Sequence, residues 1–205
     1  MNEPGARFSE QDLAPSEEEK RAARRFLVDR AATAVAVLAA GVWVGGMLAL
    51  GVCAAPFVFR LTPAPFSGEA MGAAFARFDQ IAIGASVVIL GAEVARTWSA
   101  GRKGRTAASR VRRIIAVIMA ASAAYIGLSL TPQIIELHRQ GVRRNVGEEG
   151  VMLEHIHKRA ELVGKIEVAL GAGLIALHVF TLGAGRPDDD DFEDAVAPGA
   201  PGPRG

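Results

Sequence analysis

From residue 31 to residue 59 the chain carries no charged side chain, and this run holds Trp43, Gly45 and Gly46 before it closes on Ala55, Pro56 and Phe57. A hydrocarbon core roughly 30 Å thick is crossed by about 20 apolar helical residues. A run of this length crosses it with tilt or projects beyond it. Three further apolar runs follow, at residues 81–92 before Glu93, at 114–135, and at 168–185 after Lys165 and Glu167. A soluble Ala-rich bundle is the competing reading, but soluble helices interleave polar residues at every turn. Here the charges gather in the N-terminus, the connections and the tail. The first run is too long for the apolar core of a cleaved signal, and it follows a polar segment, so it is expected to stay in the mature protein.

The pattern predicts an all-α fold: an integral membrane four-helix bundle with disordered N- and C-terminal tails. Residues 1–25 form a polar N-terminal segment that is partly helical. The membrane domain covers 26–184, with spans at about 29–58, 75–98, 112–135 and 159–182. Residues 185–205 form a disordered acidic and Pro/Gly-rich tail, a composition that cannot build a core. Ser16 followed by Glu19 has the form of a capping box, so a helix is expected to start there and run through Lys20, Arg21, Arg24 and Arg25 into the first span. Pro63, Pro65 and Gly68 mark the first connection. A new helix is expected near Glu69, with Phe75, Phe78, Ile81 and Ala82 at helical spacing.

The second connection holds Arg102, Lys103, Arg105, Arg110, Arg112 and Arg113 with no acidic residue. The positive-inside rule places this loop and both termini in the cytoplasm, and the chain in the cell inner (plasma) membrane. The third loop carries Arg139, Arg143, Arg144, Lys158 and Arg159, which pull the other way.

A formal net charge of +1 gives no footprint for nucleic acid, and the basic residues read instead as anchors to lipid headgroups. Cys53 is the only cysteine, which excludes an intrachain disulfide and a Cys-based zinc cage. It reads as a small buried apolar residue. No catalytic signature stands in the sequence, so enzymatic activity is not expected and no cofactor is called for. Neither an internal repeat nor an inverted pair of broken segments is evident.

Several residues are candidates for packing or chemistry. Gly41 and Gly45 form a small-x3-small pair extended by Gly46, which suits close helix packing. Trp43 sits among them, either at an interface or in the interior. Pro56 is expected to kink or end the first helix, because it lacks an amide donor and crowds the carbonyl one turn back.

On the fourth helix His157, Glu161 and Lys165, spaced by four, stack on one side. Lys165 and Glu167 lie roughly 10 to 15 Å beyond His157 at 1.5 Å per residue. Intramembrane charges are costly and usually face an interior, a partner or water. These residues therefore form a candidate polar site; snorkelling or a structural ion pair is the alternative. Glu93 is a further interior carboxylate, followed at i+3 by Arg96, which suits either an ion pair or a proton or cation site. His138, His155 and His157 at the outer side are candidate metal ligands. His178 lies too far along the helix to share one haem with His157.

Trp43 to Gly46, Ala55 to Phe59, the Thr131-Pro132 step and His157 before the last span together resemble the bacterial domain of unknown function 4149 family, akin to transmembrane protein 205. The resemblance runs from about residue 30 to 182. It implies a four-span membrane protein and adds no reaction. The leading expectation is a protein that binds or passes a small solute or cation, alone or as a homo-oligomer. Its alternatives are a structural subunit packing on a membrane protein partner, and a metal- or haem-binding redox protein.

Overall fold

The computed structural model describes residues 15–63, 66–100 and 106–182. The expected disorder of the tail, and of most of the N-terminal segment, lies outside the described residues, as do Pro65, Arg102, Lys103 and Arg105. Four long helices make up the fold: α1 (Glu17–Leu61), α2 (Phe66–Ala100), α3 (Ala107–Arg139) and α4 (Gly147–Leu182). No strand occurs among the described residues. Each helix is long and apolar enough to cross a membrane. The chain is thus an all-α, multi-pass membrane protein.

Helix starts follow local chemistry. The capping box at α1 forms as expected: Ser16 Oγ accepts from Glu19 N–H at 3.2 Å, and Ser16 N–H donates to Glu19 Oε2 at 2.6 Å. Thr106 Oγ1 accepts from Ser109 N–H at the start of α3. The turn between α3 and α4 passes through the left-handed region at Gly141, Asn145 and Gly147, which reverses the chain in a few residues. α4 begins at Gly147, well before the span expected from about residue 159.

Pro56 does not end α1. A π-helical stretch at Ala49–Ala54 precedes it, and Ala55 N–H reaches back five residues to Leu50 O. The wider turn moves the carbonyls away from the proline ring, and the helix continues to Leu61. The same device occurs in α3, where Ile126–Leu130 is π-helical, Thr131 N–H donates to Ile126 O, and Pro132 follows.

α1 packs on α2 and α4, and α3 packs on the same two neighbours. Their shared core holds Ala40, Trp43, Phe78, Ile89, Met119 and Leu174. Leu130, Leu137, Leu153 and Ile156 form a second cluster where α3 and α4 project. Large apolar side chains such as Leu38, Val52, Val87, Leu128 and Phe180 face outward, as lipid requires and water would penalise. Cys53 faces outward too, and is not buried.

The glycines of α1 divide. Gly46 receives the ring of Phe78 so closely that a Cβ would overlap Phe78 Cε2. Gly41 and Gly45 have no atom within 4 Å of a would-be Cβ. The expected small-x3-small pair therefore does not serve packing within the chain. Trp43 and Gly46 lie three apart on the inner face, while Gly41 and Gly45 lie on the outer one.

Candidate functional site in two buried polar layers

Polar side chains gather inside the membrane domain at two depths. The layer nearer the two termini of the chain, called the inner layer, draws on all four helices. α1 brings Asp29, α2 brings Glu93 and Arg96, α3 brings Arg112, and α4 brings His178 and Thr181. Arg96 Nε meets Asp29 Oδ1 at 2.9 Å, and Arg96 Nη1 lies 2.7 Å from His178 Nδ1. Arg112 Nε meets Glu93 Oε1 at 3.2 Å, and its Nη1 donates to Thr181 Oγ1 at 3.1 Å. A guanidinium only donates, so His178 Nδ1 is the acceptor and the ring proton sits on Nε2. That nitrogen lies 3.4 Å from Glu93 Oε1. Glu93, Arg112 and His178 are buried, with 3 %, 5 % and 0 % of their surface exposed. Two acids thus face two arginines around a neutral imidazole, and the layer is balanced in charge.

The outer layer is different. Glu167 on α4 is 2 % exposed, and its Oε1 has no hydrogen-bond partner. Beside it stand the Trp43 indole and the Ser122 hydroxyl. Trp43 Nε1 is buried and also lacks a partner. Ser122 Oγ donates to Met119 O at 2.9 Å. Half-buried Asp79 lies nearby and accepts a hydrogen bond from Thr131 Oγ1 at 2.6 Å. Gly127 leaves the room that lets α3 approach: a Cβ there would stand 3.2 Å from Asp79 Cβ.

Between the layers the interior is apolar. Ile89, Met119 and Leu174 are almost wholly buried, each contributed by a different helix. Glu167 and His178 are eleven residues apart on α4, or about 16 Å at the helical rise.

The candidate residues distribute unevenly over these layers. Glu93 joins the inner layer, but its closer cation is Arg112, since Arg96 Nη1 stands 4.0 Å away. Glu161 and Lys165 pair with each other at 2.6 Å on the exposed side of α4. The structure does not bring them together with Glu167, which occupies the inner face two residues on. His157 is half-buried above the outer layer, 5.8 Å ring to ring from His138 on α3, while His155 points away. Among the described residues, no three His, Cys, Asp or Glu side chains gather in a way that could hold a metal ion.

Sequence reasoning missed Asp29, Asp79, Arg112 and His178 as interior groups. One signal was available: Asp79, Ser86 and Glu93 recur every seven residues, which puts them on one face of α2. Another was depth, since Asp29 and Arg112 near the starts of their helices and Glu93 and His178 near the ends of theirs fall at one end of the bundle.

The model of a family described as Domain of unknown function (DUF4149) matches residues 38–143. The match includes Trp43, Asp79, Glu93, Arg96, Arg112, Ser122 and Thr131, and leaves Asp29, Glu167 and His178 beyond its bounds. No curated protein and no solved structure matches the chain. The family model covers more than half of the sequence, and the chain belongs to the DUF4149 family.

Proposed function

We propose that this protein sits in the bacterial inner membrane with both ends in the cytoplasm and binds a small cation inside the membrane. The cation is taken at Glu167 and Asp79 of the outer polar layer, and no reaction is catalysed. The orientation is supported by Arg21, Arg24 and Arg25 before the first span and by Arg110 and Arg113 near the start of the third.

One observation carries the binding reading: Glu167 is buried at mid-helix with an unpartnered oxygen. A carboxylate removed from water costs several kcal/mol unless a positive charge meets it. The inner layer supplies its own counter-charges. Glu167 is met by no ion pair among the described residues, so its charge is left for a cation to neutralise. The apolar stretch at Ile89, Met119 and Leu174 separates this site from the inner layer, so passage across the membrane requires the helices to rearrange.

Thermal unfolding of the purified protein in detergent tests the proposal, measured over a pH series and over titrations with LiCl, NaCl and KCl. A cation bound by the native state raises stability by linkage. The wild type is expected to respond to acid or to one of the salts, and Glu167→Gln to lose that response. Identical responses of the two proteins would defeat the proposal.

A second reading, that of a structural subunit, is favoured by the open face at Gly41 and Gly45, where a second helix could approach closely. In a Cys53→Ser background, Gly45→Cys is then expected to give a disulfide-linked species in membranes. A monomer alone counts against it.

A further inference from the structure

We infer that the cation taken by the outer layer is the proton, held by Glu167 as a neutral acid between Trp43 and Ser122 and exchanged only with the outer side of the membrane. This inference rests on the cation-binding reading above and names its ligand.

The donors and acceptors around Glu167 decide between a proton and a metal ion. A hard metal cation asks for a shell of several oxygens, six or more for calcium. Glu167 is offered an indole, a hydroxyl and the half-buried Asp79 carboxyl, fewer oxygens than such a shell needs. Trp43 Nε1 is a donor only, and it is buried without a partner. Ser122 has spent its proton on Met119 O, so it turns lone pairs toward its neighbour. A carboxylate would waste those lone pairs, because it has nothing to donate. A protonated carboxyl fits both: its carbonyl oxygen accepts from Trp43 and its hydroxyl donates to Ser122. The Trp43 indole can donate to either form of the carboxyl, so it is the Ser122 lone pair that favours the acid.

The charged surroundings point the same way. Among the described residues, the titratable group acting on Glu167 from the helices packed against it is Asp79 on α2. α1 contributes Trp43 and α3 contributes Ser122, neither of them charged at ordinary pH. Among the described residues no arginine or lysine pairs with Glu167 or Asp79, so a negative charge on Glu167 has nothing to balance it.

Access is one-sided by construction. Toward the cytoplasmic end, Ile89, Met119 and Leu174 close the interior, and the charge-balanced inner layer lies behind them. Toward the outer end, Asp79 and Thr131 are only half-buried. Asp79 keeps one oxygen on the Thr131 hydroxyl, which leaves the other to receive a proton from outside and hand it inward.

Dicyclohexylcarbodiimide tests this directly. It reacts with a protonated carboxyl in an apolar setting: the acid proton goes to a carbodiimide nitrogen, the carboxyl oxygen bonds to the central carbon, and the O-acylisourea rearranges to a stable N-acylurea. Right-side-out vesicles bearing the full chain are treated, and the adduct is located by mass spectrometry of the digested protein. The expected result is an adduct on Glu167 that is absent from Glu167→Gln. Its yield falls about tenfold per pH unit above the midpoint of the group. It follows the external pH and not the internal one, and excess LiCl, NaCl or KCl leaves it unchanged.

Protection by one of these salts at fixed pH would overturn the proton and leave the cation-binding reading standing. An adduct that follows the internal pH would overturn the one-sided access. No adduct on Glu167 at any pH, or one indifferent to both pH and salt, would remove both readings.

Discussion

Replacing Arg112 by Leu puts the inner layer to the sharpest test. Arg112 holds Glu93 at 3.2 Å and is itself 5 % exposed, so its loss leaves a buried carboxylate short of its nearest cation. Breaking a buried ion pair by removing one partner costs about 3–5 kcal/mol. Two features place Arg112→Leu at the lower end of that range. Arg96 Nη1 remains 4.0 Å from Glu93, and Thr181 keeps its bonds to the carbonyls of Leu177 and His178. A loss of about 3 kcal/mol corresponds to a fall of roughly 6–12 °C in unfolding temperature for a chain of this size.

The double variant Arg112→Leu with Glu93→Leu separates charge balance from packing. It removes one acid and one base, leaves Asp29 paired with Arg96 at 2.9 Å, and keeps the layer neutral. Replacing both members of a buried pair by apolar groups is often neutral or stabilising. The double variant is therefore expected to recover most of the loss, and the two substitutions to be strongly non-additive. Detergent-purified proteins heated in steps and followed by size-exclusion chromatography with tryptophan fluorescence give the comparison. A single variant as stable as the wild type, or a double variant no better than the sum of the singles, would refute the reasoning.

Three further outcomes follow from the packing. Gly46→Val drives a side chain into the buried Phe78 ring and is expected to cost about 1–3 kcal/mol, whereas Gly45→Val, with open space before it, leaves the unfolding temperature unchanged in the same heating assay. Glu161→Ala together with Lys165→Ala removes an exposed pair and is expected to leave both folding and the carbodiimide adduct on Glu167 unaltered. Thr131→Val removes the hydroxyl that holds Asp79 and leaves that carboxyl without its bond, so stability is expected to fall by about 1 kcal/mol, read in the same assay.

The fold was legible because lipid imposes a long, charge-free signature that one sequence displays openly: four spans, the capping box at Ser16 and the connection at Pro63 could all be read. The interior was not, for a geometric reason. A four-residue spacing tells which side chains share a face, but not whether that face turns inward. His157, Glu161 and Lys165 satisfy the spacing, yet the inner line of α4 runs through Leu153, Ala160, Gly164, Glu167, Gly171, Leu174 and His178. Small residues mark that line, and they mark it because Val44, Met47 and Met119 press against Gly164 and Gly171. Arg112 was hidden differently. It sits among six basic residues of a connection, and a charge there reads as a headgroup anchor until Glu93 is seen across from it. That the helix continues past Pro56 rather than ending there was hidden because proline is read against an α-helical ladder, and the π turn that accommodates it has no sequence signal of its own.

That π turn recurs with a regularity the sequence conceals. In α1 and α3 a π segment ends two residues before a proline, and in both the next helix in the chain carries a buried carboxylate, Glu93 in α2 and Glu167 in α4. The two helical hairpins thus share a plan, and what sets them apart is where each places its carboxylate and what it provides to meet it. The first hairpin sets Glu93 at the inner end, where Arg96 comes from the same helix and Arg112 from the next. The second sets Glu167 some three turns of helix short of His178, beside an indole and a hydroxyl, where no arginine follows it within α4. A charge-balanced layer is what a bundle needs to hold together. A carboxyl at similar burial without a counter-charge costs the bundle stability, and that is the cost the proposed bound proton would offset.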